Sequence, residues 1–241
     1  MKTNEERLQE LLSHLDSLSY VKPAEIPNIP LYMDQVTTFM EEHLGDTKRY
    51  PEDKVLTKTM INNYAKNNLL PPPLKKKYSK EHMLMLIFIY YFKNVLSFND
   101  IEQLFGPIIS RHFAGLDGLR LEDIYEEVFS MVDSQMERLK ADVTAKFNTA
   151  SATFRPDSED SDAQPKASQN DFDSHSEAPQ TGSANRSETL QAGSSSDQEY
   201  LQLFAFICEL SFDVYLKTKM IETLTDQLRA EAPQPPDKHK R

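Results

Sequence analysis

The chain has 241 residues, and its 38 acidic against 27 basic side chains give a formal net charge of −11, which argues against a uniformly basic nucleic-acid coat protein. This length suits one or two small domains rather than a large enzyme. The single cysteine, Cys208, excludes an intramolecular disulfide and fits a reducing compartment. The longest apolar run, residues 83–92, is too short to span a bilayer. We therefore expect a cytoplasmic protein with no membrane segment.

Helical patterns follow one another along the chain. Thr3 and Glu6 have the spacing of a capping box at the start of the first one, and Ser97 caps a short helix that Pro107 is expected to end. Glycine is scarce and the prolines are local, so we predict an all-α protein. The first predicted helix covers residues 4–18. The remaining ones cover residues 32–44, 57–68, 80–96, 119–147 and 198–229.

The last helix carries a heptad pattern. One seam position is occupied by Ile207, Val214, Ile221 and Leu228, and the other by Leu203, Leu210 and Leu224. Such a pattern is typical of packing within one chain, and it also fits a coiled coil between two chains. We expect helices 119–147 and 198–229 to pack antiparallel and to supply a dimer or effector surface, which makes a homodimer a possible assembly.

Residues 148–198 have a different composition. Among these 51 positions are nine acids, three bases and only three large apolar residues. A segment of this kind cannot offset its ordering entropy by burial, so we predict an acidic, disordered linker. The polar, proline-rich residues 231–241 are predicted to be a disordered tail.

Positive charge is concentrated in residues 54–93. This segment holds eight lysines and a single acid, Glu81, for a local net charge of +7, so the remainder of the chain carries −18. A basic island of this kind raises the local concentration of polyanions.

The predicted helix 57–68 lies inside the basic island. Thr57 is a good N-cap, Met60, Ile61 and Tyr64 are expected to face inward, and Asn68 suits the left-handed position that follows a helix. The opposite face offers amides and cations and no acid, which favours contact with the edges of DNA bases, while the following lysines would contact phosphates. The candidate DNA-binding residues are Lys58, Thr59, Asn62, Asn63, Lys66, Asn67, Lys75, Lys76, Lys77 and Tyr78.

The order of these segments resembles the MerR-type winged helix-turn-helix. Thr57, Ile61 and Tyr64 match positions of its reading helix, and "NLLPP" (68–72) matches the exit from that helix. The remaining matches are "KKKY" (75–78) at the end of the wing, "LIFI" (86–89) in the buried helix and "LSFNDIEQLF" (96–105) in the last helix. The sequence departs from the family at the positions of its Arg-Tyr pair and of two glycines, where it has Asn62, Asn63, Asn68 and Val95.

A second resemblance covers more of the chain. The segments "IPLYMDQVTTFM" and "LTKTMINNYAKNNLLPPPLKKKYSKEH" look like hallmarks of an uncharacterised family of bacterial proteins, a domain of unknown function. This resemblance implies a shared fold and supplies no activity.

Together these patterns predict a MerR-like winged helix-turn-helix core followed by two long packed helices. The predicted segments are an N-terminal helix and connection at 1–24, the MerR-like domain at 25–110, a long helix at 111–147, the acidic linker at 148–198, a coiled-coil-like helix at 199–230 and the tail at 231–241.

The predicted function is that of a transcriptional regulator that binds double-stranded DNA. The alternative is a protein-interaction adaptor whose winged fold and basic patch dock an acidic partner or residues 148–198 of the same chain. Under the DNA-binding hypothesis, residues 148–198 could instead act as an intramolecular DNA mimic. The six histidines show no metal-ligand spacing, and no nucleotide-binding or hydrolase motif occurs. We therefore predict no enzyme activity, no cofactor and no metal.

Overall fold

A computed structural model gives the fold, and the structure describes residues 2–18, 20–113, 118–153 and 195–231. Within these ranges the protein is mostly helical, as the sequence predicts, and has two short β-strands. The predicted disorder of residues 154–194 and 232–241 lies outside the described residues. The helices are α1 (Asn4–Ser17), α2 (Met33–Leu44), α3 (Lys58–Lys66), α4 (Lys80–Phe92), α5 (Phe98–His112), α6 (Leu121–Thr153) and α7 (Ser195–Glu231), and the strands are β1 (Leu31–Tyr32) and β2 (Lys77–Tyr78).

Helix α4 forms the centre of the main hydrophobic core. Every residue from Met83 to Ile89 is buried. The sequence predicts this position, because a helix that is apolar on all sides needs neighbours on all sides. The described core around α4 contains 27 buried residues, and they all fall between Val21 and Phe129.

The two strands pair antiparallel, with Leu31 opposite Tyr78 and Tyr32 opposite Lys77. Strand β1 directly precedes α2, and β2 directly precedes α4. This pairing therefore holds the beginning of α2 against the segment that leads into the central helix.

The long connection between α2 and α3 is fixed to the core. Val55 and Leu56 are buried. The Val55 N–H lies 3.3 Å from Glu41 Oε2, and the Val55 carbonyl accepts a 2.9 Å hydrogen bond from Lys93 Nζ. A hydrogen bond from Lys48 lowers the pKa of Glu41, so this carboxylate stays charged where the loop folds back. The connection thus keeps α3 in contact with α2.

The compact core extends past the predicted domain end at residue 110. The first turns of α6 contribute the buried residues Leu121, Tyr125 and Phe129. The Tyr125 hydroxyl donates a 2.7 Å hydrogen bond to the Val21 carbonyl, and its ring lies 5.1 Å from that of Phe88. One end of α6 therefore belongs to the core, and the other end leaves it.

A second, smaller cluster joins α1, the far end of α6 and α7. Its five buried residues are Leu8, Val143, Phe147, Ala150 and Phe206. Helices α6 and α7 run antiparallel, as predicted, because Ser151 meets Gln202 while Lys146 meets Asp213. The buried Asn4 side chain donates a 2.9 Å hydrogen bond to the Glu199 carbonyl and ties α1 to α7.

The predicted heptad seam of α7 is only partly buried, since Leu203, Leu210 and Ile221 are half-buried against the two hydrophobic clusters. Ile207, Val214, Leu224 and Leu228 are 49–64% exposed, and Phe206, which lies outside the seam, is buried. Helix α7 contacts both α6 and α5 within the described chain. A helix that packs on two neighbours at different points along its length does not keep one 3.5-residue stripe buried.

Several predicted boundaries also change. Pro107 does not end α5, which continues to His112. The preceding Gly106 has no Cβ to collide with the proline ring, which removes part of the usual penalty. Both ends of the predicted linker 148–198 are helical, because α6 continues to Thr153 and α7 begins at Ser195. Across the described ranges, no helix is long and apolar enough to cross a membrane.

Candidate nucleic-acid interface

Helix α3 has well-defined ends. The Thr57 hydroxyl accepts a 3.2 Å hydrogen bond from the Met60 N–H at the start. At the other end Asn68 is left-handed, with φ +56°, and the Leu69 N–H bonds back to the Tyr64 carbonyl at 2.9 Å. This is the 6→1 hydrogen bond of a Schellman-type stop, so the prediction for Asn68 is confirmed.

One side of α3 packs into the core and the other faces solvent. Ile61 and Tyr64 are buried, as predicted, whereas Met60 is 37% exposed and does not face inward. Phe98 of α5, also expected inward, is 51% exposed, and its ring lies 5.9 Å from that of Tyr64. The exposed residues of α3 include six of the predicted DNA-binding residues, which are Lys58, Thr59, Asn62, Asn63, Lys66 and Asn67.

These six side chains are not equally available to a ligand. Lys58 forms an ion pair with Asp34, and the Asn67 amide donates a 2.8 Å hydrogen bond to the Asn63 carbonyl. The side chains of Asn62, Asn63 and Lys66 have no hydrogen-bond or ion-pair partner in the described part of the chain. These three therefore offer their full bonding capacity to an incoming molecule.

A tight turn carries the lysine cluster. The Lys77 N–H donates a 3.0 Å hydrogen bond to the Leu74 carbonyl, and the two residues between them, Lys75 and Lys76, have φ of +50° and +62°. Positive φ at both central positions is the mark of a type I′ turn, which usually contains Asn and Gly. Each left-handed lysine costs about 1–2 kcal/mol. The turn places two exposed ammonium groups at its tip. We name residues 74–77 the lysine turn.

Tyr78 differs from the other predicted DNA-binding residues. It is 3% exposed, and burial raises the pKa of its hydroxyl. Its ring makes an edge contact with His82 at 5.5 Å, so it anchors β2 in the core. We therefore remove Tyr78 from the interface, because a side chain so buried has no surface to offer.

His82 holds the base of the lysine turn, a role that sequence reasoning missed. Its Nδ1 accepts a 3.0 Å hydrogen bond from the Ser79 N–H, and its Nε2 donates to the Pro71 carbonyl at 3.2 Å. This arrangement needs the neutral ring, and burial correspondingly lowers the pKa of His82. The signal in the sequence is the capping-box spacing from Ser79 to His82.

Three of the eight lysines in the basic island form an ion pair or a hydrogen bond with other described residues. Lys80 is paired with Glu122 at 2.7 Å, and Lys58 is paired with Asp34. Lys93 Nζ bonds to the Val55 carbonyl and lies 4.5 Å from the Tyr90 ring, and burial lowers its pKa. The island's lysines that stay accessible and have no carboxylate partner in the described chain are Lys54, Lys66, Lys75, Lys76 and Lys77.

The described residues contain no group of three or more His, Cys, Asp or Glu side chains that could hold a metal ion. The exposed predicted residues of this surface carry amide, hydroxyl and ammonium groups, which bind by hydrogen bonds and charge.

Comparison with known proteins identifies one related family. Residues 21–128 match the family model described as Domain of unknown function (DUF1836). No curated protein and no solved structure matches the chain. The matched range coincides with the main core, which runs from Val21 to Phe129. The MerR-type resemblance is not confirmed and stays a prediction, while residues 21–128 are similar to a family whose activity is unknown.

Proposed function

We propose that this protein binds duplex DNA and regulates transcription, with α3 in the major groove and the lysine turn against the phosphate backbone. The observation that carries the proposal is the exposed face of α3, where the side chains of Asn62, Asn63 and Lys66 have no partner among the described residues and the helix contains no acidic residue. A surface of unsatisfied amides and ammonium groups is complementary to base edges and phosphates.

The chemistry of the α3 face suits base recognition. An asparagine amide can donate its N–H to the N7 of adenine and accept, through its carbonyl oxygen, from the N6 amino group, so Asn62 and Asn63 are suited to adenine. Lys66 can donate to the O6 and N7 of guanine. Both asparagines lie in a helix with fixed ends, so little backbone freedom remains to be lost on binding.

The lysine turn supplies affinity for DNA that does not depend on the base sequence. Lys75 and Lys76 are exposed at the tip, and Lys77 lies 4.9 Å from the Tyr32 ring centroid. The order helix α2, helix α3, strand β2 with its turn, then the buried α4 and α5, is also the order expected of a winged helix-turn-helix. This agreement supports the proposal without identifying the family.

A homodimer is part of the proposal. Four aromatic side chains of α7 are 53–66% exposed, which are Tyr200, Phe204, Phe212 and Tyr215. The Tyr200 ring stacks on that of Phe204, and the Phe212 ring stacks on that of Tyr215. Apolar side chains in this density on one helix mark interaction surfaces. Sedimentation of wild type and of Phe204→Lys would test this assembly, because the variant should remain monomeric.

The test of DNA binding compares two triple variants by fluorescence anisotropy across a salt series, using random-sequence duplexes. Lys75→Ala, Lys76→Ala and Lys77→Ala together should make the slope of log affinity against log salt shallower by about 2–3. The matched control removes three exposed cations outside the lysine turn and α7, which are Lys2, Arg7 and Lys22, and should leave the slope within about 0.5 of wild type. Equal slopes in all three proteins would refute the role of the lysine turn.

A double variant tests sequence reading. Asn62→Ala with Asn63→Ala should reduce the preference for a selected duplex over random duplex by roughly 1–3 kcal/mol, while the salt slope stays unchanged. Selection from random duplexes supplies the preferred sequence. Failure to enrich any sequence, together with equal binding to heparin, would favour the alternative.

The alternative is a protein-interaction adaptor, and the exposed aromatic residues of α7 favour it. In that case the lysine turn would dock an acidic protein surface. Deleting residues 154–194 and repeating the anisotropy series would show whether that acidic segment competes for the lysines; a rise in DNA affinity would indicate that it does.

A further inference from the structure

A cavity lies beside the lysine turn, where four elements meet. It has a volume of about 570 Å³ and lies between the lysine turn, the start of α4, the end of α5 and the start of α6. This volume is within the range of small-molecule sites. The residues that line the cavity are up to about ninety positions apart in sequence, so no local sequence pattern predicts the cavity.

The apolar part of the wall comes from Pro30, Leu74, Phe113 and Leu121. Leu74 is 78% exposed, the highest value among the exposed large hydrophobic residues of the described chain. His82 presents the rest of its buried ring to the same space and makes an edge contact with Phe113 at 4.8 Å. An apolar molecule in the cavity would cover Leu74, and this burial would favour binding.

The charged groups around the cavity are largely paired with one another. Glu122 is 2.7 Å from Lys80 and 3.5 Å from Arg120, and Arg120 also pairs with Asp123 at 2.8 Å. Glu81 accepts a 2.6 Å hydrogen bond from the Ser79 hydroxyl.

Two cations at the cavity wall lack a carboxylate partner in the described chain. They are Lys75, for which no polar contact occurs there, and Lys77, which lies against the Tyr32 ring. Glu81 has no cation partner in the described chain, but Lys75, Lys77 and Arg120 outweigh Glu81 and Glu122, so the lining has a net charge of +1. Its cations without a carboxylate partner in the described chain are those of the lysine turn.

We infer that this cavity binds a small amphipathic anion, an apolar body that carries one carboxylate, sulfonate or phosphate group. The body contacts Leu74, Phe113 and Leu121, and the anionic group contacts Lys75 and Lys77. A bound ligand ties the lysine turn to the α5–α6 corner and occupies two of the ammonium groups proposed for phosphate contact. The ligand therefore weakens DNA binding, a consequence that rests on the proposed function.

The first experiment tests the site without DNA and uses the dye anilinonaphthalene sulfonate as the probe. Because exposed α7 side chains also attract this dye, backbone amide shifts must locate it. We expect shifts in residues 74–82, 112–113 and 120–122 that saturate together. Shifts confined to α7, or none, would overturn the site.

Paired charge reversals sharpen this result. Lys75→Glu with Lys77→Glu should weaken binding of the dye at the cavity at least about fivefold, because two attractions become repulsions. Lys54→Glu with Lys66→Glu makes the same change in net charge away from the cavity and should alter the affinity less than about twofold. Equal losses in both variants would mean that only net charge matters and would overturn the assignment. Amide spectra of each variant confirm that it is folded.

The second experiment measures coupling to DNA. Saturating dye should lower duplex affinity, and by reciprocity duplex should lower dye affinity by the same factor. Unchanged duplex affinity would overturn the regulatory part and leave the site in place. Dye binding at the cavity with no duplex binding at all would refute the proposed function and, again, leave the site in place.

Discussion

The region from Val21 to Phe129 and the helical extension made by α1, the far end of α6 and α7 differ in how they bury apolar surface. The first contributes 27 buried residues around α4, whereas the second cluster contributes five, among the residues that the structure describes. Helix α7 is the longest helix of the described chain, yet most of its large apolar side chains are exposed. Length and hydrophobicity alone therefore do not decide where a helix is buried.

The difference follows from the number of neighbours around each helix. Helix α4 is contacted by β2 and α6 and lies within a core that also includes residues of α2, α3 and α5, so apolar residues on every side find partners. Helix α7 packs on α6 and α5, and its first turns are tied to α1 by the Asn4 hydrogen bond. The apolar residues that α7 leaves exposed form the surface that the proposed homodimer would cover.

The largest effect should come from the centre of the core. Leu86 is fully buried, so Leu86→Ala should reduce the free energy of unfolding by about 2–5 kcal/mol through lost burial and a new cavity. Leu224→Ala, at a position that is 58% exposed on α7, should cost less than about 0.5 kcal/mol in dilute protein. Chemical denaturation measures both. Similar costs for the two variants would contradict the contrast between the regions.

Removal of one buried hydroxyl should test how α6 is attached to the core. Tyr125→Phe deletes the donor of the 2.7 Å hydrogen bond to the Val21 carbonyl and leaves that acceptor unsatisfied. The expected loss is about 1–3 kcal/mol. Tyr200→Phe, on the exposed side of α7, is the matched control and should be neutral. A neutral Tyr125→Phe would mean that ring packing alone attaches α6.

His82 should make the stability of the core depend on pH. Burial lowers its pKa below the ordinary value of 6.5. As pH falls below 6.5 the unfolded chain therefore binds a proton that the folded protein does not, and stability decreases by at most about 1.4 kcal/mol per pH unit until the folded pKa is reached.

The test of this dependence uses His82→Gln, because glutamine at the same position can still accept the Ser79 N–H. Its stability should vary less between about pH 5 and 7, above the range in which most carboxylates titrate. His14→Gln, in α1, should retain the wild-type profile. A wild-type slope in His82→Gln would assign the pH dependence to another group.

The smallest effect is expected at the far end of α7. Arg229 pairs with Asp100 at 2.6 Å, and hydrogen bonds from Ser97 and then Arg229 lower the pKa of Asp100. Since Arg229 is almost half exposed, Arg229→Ala should cost at most about 1 kcal/mol. Hydrogen exchange should become faster at the end of α7 and stay unchanged in α4. Faster exchange in both helices would show that the extension supports the core.

Local signals in the sequence predicted local structure well. The capping residues Thr3, Thr57 and Ser97 lie at the starts of α1, α3 and α5, and Asn68 has the left-handed conformation expected after α3. These features depend on a few consecutive residues, so the sequence contains all the necessary information. The exposed amide face of α3 was predicted from the same kind of pattern.

Other predictions failed where distant segments decide the outcome. Pro107 was expected to end α5, Tyr78 to face a ligand, and the heptads of α7 to form its buried seam. The seam depends on the two packing partners of α7, and the burial of Tyr78 depends on its pairing with Leu31 in the distant strand β1. The cavity beside the lysine turn was missed for the same reason. Pro107 is the exception, because the adjacent Gly106 is a local feature that the prediction overlooked.

The sequence by itself determined the helical class, the positions of the caps and stops, the central place of α4 and the location of the positive charge. These properties follow from short-range backbone chemistry and from the period at which apolar residues recur. Only the tertiary structure decided which lysines keep their charge unpaired, which face of α7 is left exposed and how four elements enclose a cavity. Ion pairing, burial and cavities arise between residues that are far apart in the chain, and their geometry exists only after the helices have packed.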